Sequence, residues 1–411
     1  MIKSYFHRAR RSLAKFWLEV NPQLRIVGIT GSFGKTNTAR AVASVLSKMF
    51  PTVQTDLNLD TVYNLPITIL KVKPWTEALV LEMGVDHLGE MDFHLSLVKP
   101  QIGIVTGITP VHSDKEHFGS LENIIKEKAK LLQSLPADGL AILNYEDEAV
   151  RKMAGLTKAK VVFYGRNQDK KNNCDVWAET IKVDREGTRF TIREKNGRIN
   201  VSTGLIGDHL VDGCLAAYLV GRYFQIEKNL IINSFSELKP LKGRLNYEPG
   251  PRGTYLLNDA LRSNPASAMA GLTVLTELKG KRKIAVLGEM GELGDFEEEG
   301  HRLVGRHLAK QKIDLAVGIG PLTKFILTEA IKEGMDKKKT FWAKDVIQAA
   351  DFLRKELRKE DFVYLKGSLL RHLERILILL KEEKVDCRLV SCNRYLPCWT
   401  CPYRFNKVKS S

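Results

Sequence analysis

Apolar and polar positions over the first twenty residues alternate at helical spacing. Ile2, Tyr5, Phe6, Ala9, Leu13, Phe16, Trp17 and Val20 recur every three or four positions, with Arg and Lys mostly between them. Asn21-Pro22 ends that helix. The pattern then turns to short buried runs, each followed by a helical stretch. Residues 26–30, 78–82, 102–106, 140–144 and 161–164 read as strands of a parallel sheet. Residues 175–201 alternate in β fashion around Glu186-Gly187 and Asn196-Gly197, which mark hairpin turns. Residues 209–223 return to helix, and the chain breaks at Lys239-Pro240-Leu241-Lys242-Gly243-Arg244. Beyond the break, strands at 254–258, 283–287, 315–319 and 362–365 alternate with helices as a second, doubly wound unit.

One junction in this pattern carries chemistry. Ile26-Val27-Gly28-Ile29-Thr30-Gly31-Ser32-Phe33-Gly34-Lys35-Thr36-Asn37-Thr38 reads as a buried strand, a glycine turn, and Lys-Thr opening a helix. Glycines let backbone N–H groups turn toward polyphosphate, and the helix N-terminus adds partial positive charge. Lys35 reaches the outer phosphates, and the Thr36 hydroxyl suits the Mg²⁺ that a nucleotide carries. The first glycine of the strict phosphate-loop pattern is Ile29 here, so the loop is a variant form. Gly31, Ser32, Gly34, Lys35, Thr36 and Asn37 are the candidate nucleotide-binding residues. The expected fold class is α/β: a P-loop-containing central parallel-sheet domain followed by a Rossmann-like C-terminal α/β domain.

Length and composition narrow the class without changing it. The 411 residues leave room for two or three domains, and 44% apolar with 27% charged residues is ordinary for a soluble protein. No apolar run approaches the ~20 residues of a membrane span, and Arg and Lys interrupt any signal-peptide core. The expectation is a cytoplasmic enzyme. The net charge of +16 is concentrated at the ends. Lys3, Arg8, Arg10, Arg11, Lys15 and Arg25 face only Glu19 in residues 1–25, and the tail from Lys381 carries seven basic against three acidic residues. The first helix either packs on the domain it precedes or lies on anionic lipid at the inner face of the membrane. No recognition module accompanies the charge, so nucleic acid is not expected as a partner. The organisation expected is a basic amphipathic helix over 1–23, a central domain over 24–240, a C-terminal domain over 241–380 and a cysteine-bearing basic tail over 381–411.

Further residues sit where chemistry would need them. Glu82 ends a strand beside the phosphate loop, the place for a second metal contact, against the plainer reading of a solvated acid. His112 follows another strand end, as a metal ligand, a phosphate contact or a structural histidine. Lys126, Lys128 and Lys130 lie on one helix, and composition alone reads them as a solvated basic face. Asp259 ends a strand of the second unit, ahead of Asn264-Pro265.

Taken in order, these segments resemble the Mur ligase family, ATP-dependent amide-forming enzymes of peptidoglycan synthesis. The resemblance runs from about Ile26 to about Arg375. It rests on Thr30-Gly31-Ser32-Phe33-Gly34-Lys35-Thr36, Asn64-Leu65-Pro66, Glu82-Met83-Gly84, His87-Leu88-Gly89-Glu90, His112 and Phe118-Gly119-Ser120. It continues through Lys128, Leu135-Pro136-Ala137-Asp138-Gly139, Gly243-Arg244, Asp259, the run Leu287-Gly288-Glu289-Met290-Gly291-Glu292-Leu293-Gly294, His301 and Lys366-Gly367-Ser368. The resemblance implies transfer of the ATP γ-phosphoryl group to a carboxylate, attack by an amine on the acyl phosphate, and release of ADP and phosphate. It implies Lys35, Lys128 and His112 as catalytic residues, and Mg²⁺ held by Thr36, Glu82, His112 and Lys128 as a carbamate. Arg244 and Asp259 would contact the nucleotide. The implied partners are a cell-wall precursor peptide and an amino acid or dipeptide.

Departures from the family pattern leave the substrate open. The phosphate loop begins a few residues after one helix, so the family's separate UDP-binding domain is expected to be missing. A lipid-linked or non-wall acceptor is then an alternative, as is a nucleotide-binding adaptor without ligase activity. Leu210 and Gly213 stand where asparagines are usual, Lys130 where Glu is usual, and Leu369-Leu370 where Arg-Gly is usual. In the tail, Cys387, Cys392, Cys398 and Cys401 could hold structural Zn²⁺, an iron–sulfur cluster, or no metal.

Overall fold

The computed structural model describes all residues except 1, 56–60, 110–117, 167–172, 292, 388–391, 393, 395 and 406–411. The chain divides into two compact units: residues 1–182, 187–204 and 208–239 in the first, and 183–186, 205–207 and 240–411 in the second.

The first sheet is built from β1 (Arg25–Thr30), β2 (Thr52–Gln54), β3 (Ala78–Glu82), β4 (Ile102–Val105), β5 (Leu140–Asn144), β6 (Lys160–Gly165), β7 (Val176–Asp184), β8 (Gly187–Glu194) and β9 (Gly197–Thr203). Its order is β2-β3-β1-β4-β5-β6-β7-β8-β9. The strands from β2 to β7 pair in parallel, and β8 and β9 form an antiparallel hairpin. β1 and β3 are nearly continuous apolar runs because helices cover both faces of a parallel sheet. Register then fixes the site. Ile29 pairs with Glu82 and Thr30 with Val105, so the carboxyl ends of β3, β1 and β4 lie side by side.

The helix Lys35–Leu46 leaves the end of β1 and packs against the helix Val211–Tyr223. Two glycines permit that approach. A Cβ on Gly213 would lie 3.3 Å from the Thr38 Cα, and one on Gly221 would lie 2.8 Å from Val45. Gly213 in place of the usual asparagine thus sets a backbone-to-backbone contact beside the P-loop helix.

The first helix, Ile2–Glu19, does pack on this unit. Ala14 is fully buried, the Trp17 indole N–H donates to the Val72 carbonyl at 2.9 Å, and Arg11 donates to Ser96 at 2.8 Å. Leu13 and Phe16 of the same helix, and Val20 just past its end, face outward, each at least half exposed. Among the described residues no helix is long and apolar enough to cross a membrane.

The second unit holds β10 (Asn246–Pro249), β11 (Tyr255–Asp259), β12 (Lys283–Gly288), β13 (Leu315–Ile319), β14 (Thr340–Ala343) and β15 (Phe362–Lys366). Their order is β10-β11-β15-β12-β13-β14, parallel except for β10. The apolar pattern revealed neither β10 nor β14, nor β2 in the first sheet. Each is an edge strand of three or four residues that is only partly buried, so none presents a continuous apolar run.

Candidate active site

The P-loop is held open by its neighbours. Gly31 has φ +145°, and a Cβ there would lie 2.1 Å from the Thr106 hydroxyl, so only glycine fits. Gly34, at φ +79°, caps the following helix in the left-handed region. The Ser32 N–H donates to the Gly107 carbonyl at 2.7 Å, and the Ser32 hydroxyl accepts from the Thr109 N–H at 3.1 Å. Thr106 donates to the Phe33 carbonyl at 2.5 Å. The Phe33 ring covers Gly107, where a Cβ would fall 2.2 Å from the ring. The segment after β4 therefore acts as a template for the loop after β1. Thr106 was not foreseen as a site residue; its only signal is its place at the end of a strand beside β1.

Lys35 and Thr36 open the helix Lys35–Leu46, and Asn37 follows them. The Lys35 ammonium donates to the Gly31 carbonyl at 2.7 Å, so it already lies folded over the loop. The Thr36 hydroxyl donates to Glu82 Oε2 at 2.9 Å, and the Glu82 N–H donates to the Thr55 hydroxyl at 2.9 Å. Glu82 is thus a partly buried acid fixed against the P-loop helix and not a solvated strand end. A hydroxyl and a carboxylate so paired form a hard-oxygen donor set that fits a divalent cation such as Mg²⁺. His112 lies outside the described residues.

Lys126, Lys128 and Lys130 on the helix Leu121–Gln133 part company. Lys126 is exposed and pairs with Glu122. Lys130 bridges Asp92 and Glu127, at 2.6 Å to each. Lys128 is only 3% exposed, with its ammonium 3.4 Å from the Val85 carbonyl and over the Phe118 ring. Burial, reinforced by the charge of Lys35, pushes the Lys128 ammonium down to about 7, against the pull of Asp86, Glu127 and Glu90. Glu127 is fully buried and also accepts the Met91 N–H at 2.8 Å. Helical spacing puts Lys128 and Lys126 on different faces, but a run of three lysines conceals this from a composition reading.

Beside the altered segment 207–213, Arg166 donates to Asp208 at 2.6 Å and to Asp212 at 2.8 Å. These ion pairs order the loop without either of the missing asparagines.

In the second unit, Asp259 is buried at the end of β11. Its Oδ2 accepts from Lys366 at 2.7 Å and from the Tyr364 hydroxyl at 3.2 Å. Burial pushes the Lys366 ammonium down, against the opposing carboxylate. Arg244 stands in the loop between residues 240 and 245, ahead of β10. Glu289 accepts the Leu322 N–H at 3.1 Å and pairs with Arg371 at 2.8 Å. His301 accepts the Met290 N–H through Nε2 at 3.0 Å.

The tail cysteines are not drawn together as a four-thiol set. All four are described, yet among the described residues the group of His, Cys and carboxylate donors within 4.8 Å of one another consists of His372, Glu374 and Cys398. Only Cys398 of the expected four belongs to it.

Known proteins are similar to this chain. The Mur ligase middle domain matches residues 29–221, and the Mur ligase glutamate ligase domain matches residues 243–369. The UDP-N-acetylmuramoyl-tripeptide–D-alanyl-D-alanine ligase of Bacillus subtilis (strain 168) is 31% identical over 381 residues, 92% of this chain and 80% of that one. The ligase of the same name from Escherichia coli (strain K12) is 30% identical, over 76% of this chain and 68% of that one. Among solved structures, MurF from Acinetobacter baumannii superposes with a TM-score of 0.83 at 26% identity, over 92% of this chain and 81% of that one.

Proposed function

The chain belongs to the Mur ligase family, and from that premise we propose that it joins a carboxylate of a cell-wall precursor to an amine at the expense of ATP, releasing ADP and phosphate. The relatives named for ligation of UDP-N-acetylmuramoyl-tripeptide with D-alanyl-D-alanine give the first substrates to test. The observation that carries the reading is the cluster at the ends of β1 and β3: Lys35 over the loop, Thr36 bonded to Glu82, and a buried Lys128 within reach of their field.

Phosphoryl transfer demands positioning and charge neutralisation more than covalent help. The loop N–H groups cradle the phosphates, and Lys35 exchanges the Gly31 carbonyl for a phosphate oxygen. Thr36 and Glu82 would hold Mg²⁺, with His112 as the further ligand that the family resemblance implies. When bound, that cation neutralises the charge that develops on the transferred phosphoryl group. Substrate carboxylate oxygen attacks the γ-phosphorus while the bond to the ADP oxygen breaks. The amine then attacks the acyl carbon, loses a proton, and phosphate departs.

Lys128 serves this scheme as a carbamate. An amine lowered to about 7 is substantially neutral at physiological pH, so its lone pair is free to attack carbon dioxide. The new N–C bond forms as a C=O π pair of carbon dioxide moves to oxygen, a proton leaves the nitrogen, and a buried neutral amine becomes a buried anion that suits a metal. Arg244 and Asp259 are further proposed nucleotide contacts, with Lys366 holding the Asp259 carboxylate in place.

The outward stripe Leu13, Phe16 and Val20, on a segment that also carries Arg8, Arg10 and Lys15, supports peripheral contact with an anionic membrane surface. A lipid-linked precursor is the substrate that this contact would favour. The test is release of ADP and phosphate with a panel of UDP-linked and lipid-linked muramoyl peptides, with and without D-alanyl-D-alanine. Release only with both partners supports a ligase; nucleotide hydrolysis indifferent to either contradicts it.

A further inference from the structure

The second unit buries a set of metal donors that the ligase chemistry leaves unused. His372 is 2% exposed, Glu374 fully buried and Cys398 5% exposed, and their donor atoms lie within 4.8 Å of one another. Glu374 Oε1 is spent: it takes the His372 Nδ1–H at 2.9 Å and the Cys398 N–H at 2.8 Å. Glu374 Oε2 and His372 Nε2 are buried with no hydrogen-bond partner among the described residues. Leaving a carboxylate oxygen and an imidazole nitrogen unsatisfied in the interior is costly, and native structures rarely tolerate it. The Cys398 sulfur accepts from the Arg375 guanidinium at 3.4 Å.

We propose that His372, Glu374 and Cys398 bind a structural zinc ion that fastens the C-terminal tail to the second unit. Imidazole nitrogen, carboxylate oxygen and thiolate are the donor types zinc takes; the ion would replace the proton shared by His372 Nδ1 and Glu374, and bonds of about 2.0–2.3 Å require this set to contract around it. One position of a tetrahedral ion remains for water or another tail thiol. The gain is mechanical. His372 and Glu374 bracket the start of the helix Glu374–Leu380, whereas Cys398 lies in a tail too short for a core of its own. Next to Cys398, Trp399 packs on the loop that carries Arg244. The Lys242 ammonium is 4.8 Å from its ring, and a Cβ on Gly243 would touch it at 3.0 Å. The tail also closes on itself, since the Asp386 N–H donates to the Arg404 carbonyl at 2.9 Å. An ion at this point would hold Trp399, and through it the Arg244 loop, in register.

Metal analysis of the full chain, purified without chelators and reconstituted with zinc, tests this directly. About one tightly held zinc per chain is expected. His372→Asn keeps a residue tolerant of the observed φ of +51°, and Glu374→Gln keeps the side-chain size. Each should weaken zinc binding at least ~10- to 100-fold, as should Cys398→Ser. Should these variants misfold, wild-type protein loaded with cobalt still decides the matter. Thiolate-to-cobalt absorption corresponding to one or two sulfurs supports the site, and an intensity requiring three or four overturns it. Chelation should also speed tryptic cleavage at Arg394 and Arg404. Absence of stoichiometric zinc from wild type, or full retention in His372→Asn, overturns the proposal.

Discussion

The Thr36 hydroxyl donates to Glu82 Oε2 at 2.9 Å, tying the residue that opens the P-loop helix to the acid at the end of the adjacent strand. If this pair holds the cation that shields the phosphates, removing the hydroxyl while keeping side-chain shape should cripple turnover. Thr36→Val should lower kcat about 100- to 1000-fold with little change in melting temperature. Steady-state ADP release, set beside a thermal melt, measures both.

Lys128 predicts a dependence on carbon dioxide and on pH. In bicarbonate-containing buffer, isotope-labelled carbon should appear as a carbamate signal by NMR, and Lys128→Arg should lack it and be nearly inactive. Stability gives a separate readout in carbon-dioxide-free buffer. The native lysine gives up its proton near 7 and the unfolded one only near 10.5, so between these values the unfolded chain holds more protons. Stability of the wild type should therefore rise with pH from about 7 upward relative to Lys128→Met, and the two should run parallel below 7. A flat difference across that window would contradict the buried, depressed lysine.

How much of this was open to reading from sequence differs by residue. The variant loop was legible because glycine, lysine and threonine between a buried strand and a helix leave few alternatives. Glu82 was legible because register in a parallel sheet puts strand ends together. Thr106 was not, since its contribution is a hydroxyl against a Cβ-less Gly31, a steric relation that no spacing reports. Lys366 likewise reads as a strand-end cation until β11 and β15 pair and bring it to Asp259. The four tail cysteines suggested a four-thiol site because proximity in sequence is all a sequence offers. The histidine and glutamate beside Cys398 come from more than twenty residues earlier.

Gly31→Ala should be destabilising as well as inactivating. The added Cβ meets the Thr106 hydroxyl at 2.1 Å, and the backbone angle is one that alanine rarely adopts. A cost of about 2 kcal/mol or more is expected, lowering the melting temperature by several degrees. Pairing it with Thr106→Ser, which leaves the hydroxyl, should not restore stability, whereas Thr106→Ala should restore part of it.

The buried Asp259–Lys366 pair predicts strong coupling. Asp259→Asn leaves a buried ammonium without its counter-charge and should cost about 3–5 kcal/mol. Replacing both residues, as Asp259→Asn with Lys366→Met, should cost less than the sum of the single changes. Additive losses in a double-mutant cycle would show that the two do not interact.

The exposed stripe on the first helix predicts membrane affinity that can be removed without unfolding. Changing Leu13, Phe16 and Val20 together to serine should reduce sedimentation with anionic vesicles at low salt by at least about tenfold. The melting temperature should be nearly unchanged, because the buried contacts of Ala14 and Trp17 remain. Equal sedimentation of wild type and variant would remove the membrane reading.

The direct test of an acyl-phosphate ligase follows oxygen atoms. When a precursor whose carboxylate carries heavy oxygen is ligated in the presence of ATP, one labelled atom should leave in the inorganic phosphate for each amide formed, as read by mass spectrometry. Amide formed with unlabelled phosphate, or with AMP and pyrophosphate as the products, would contradict the account.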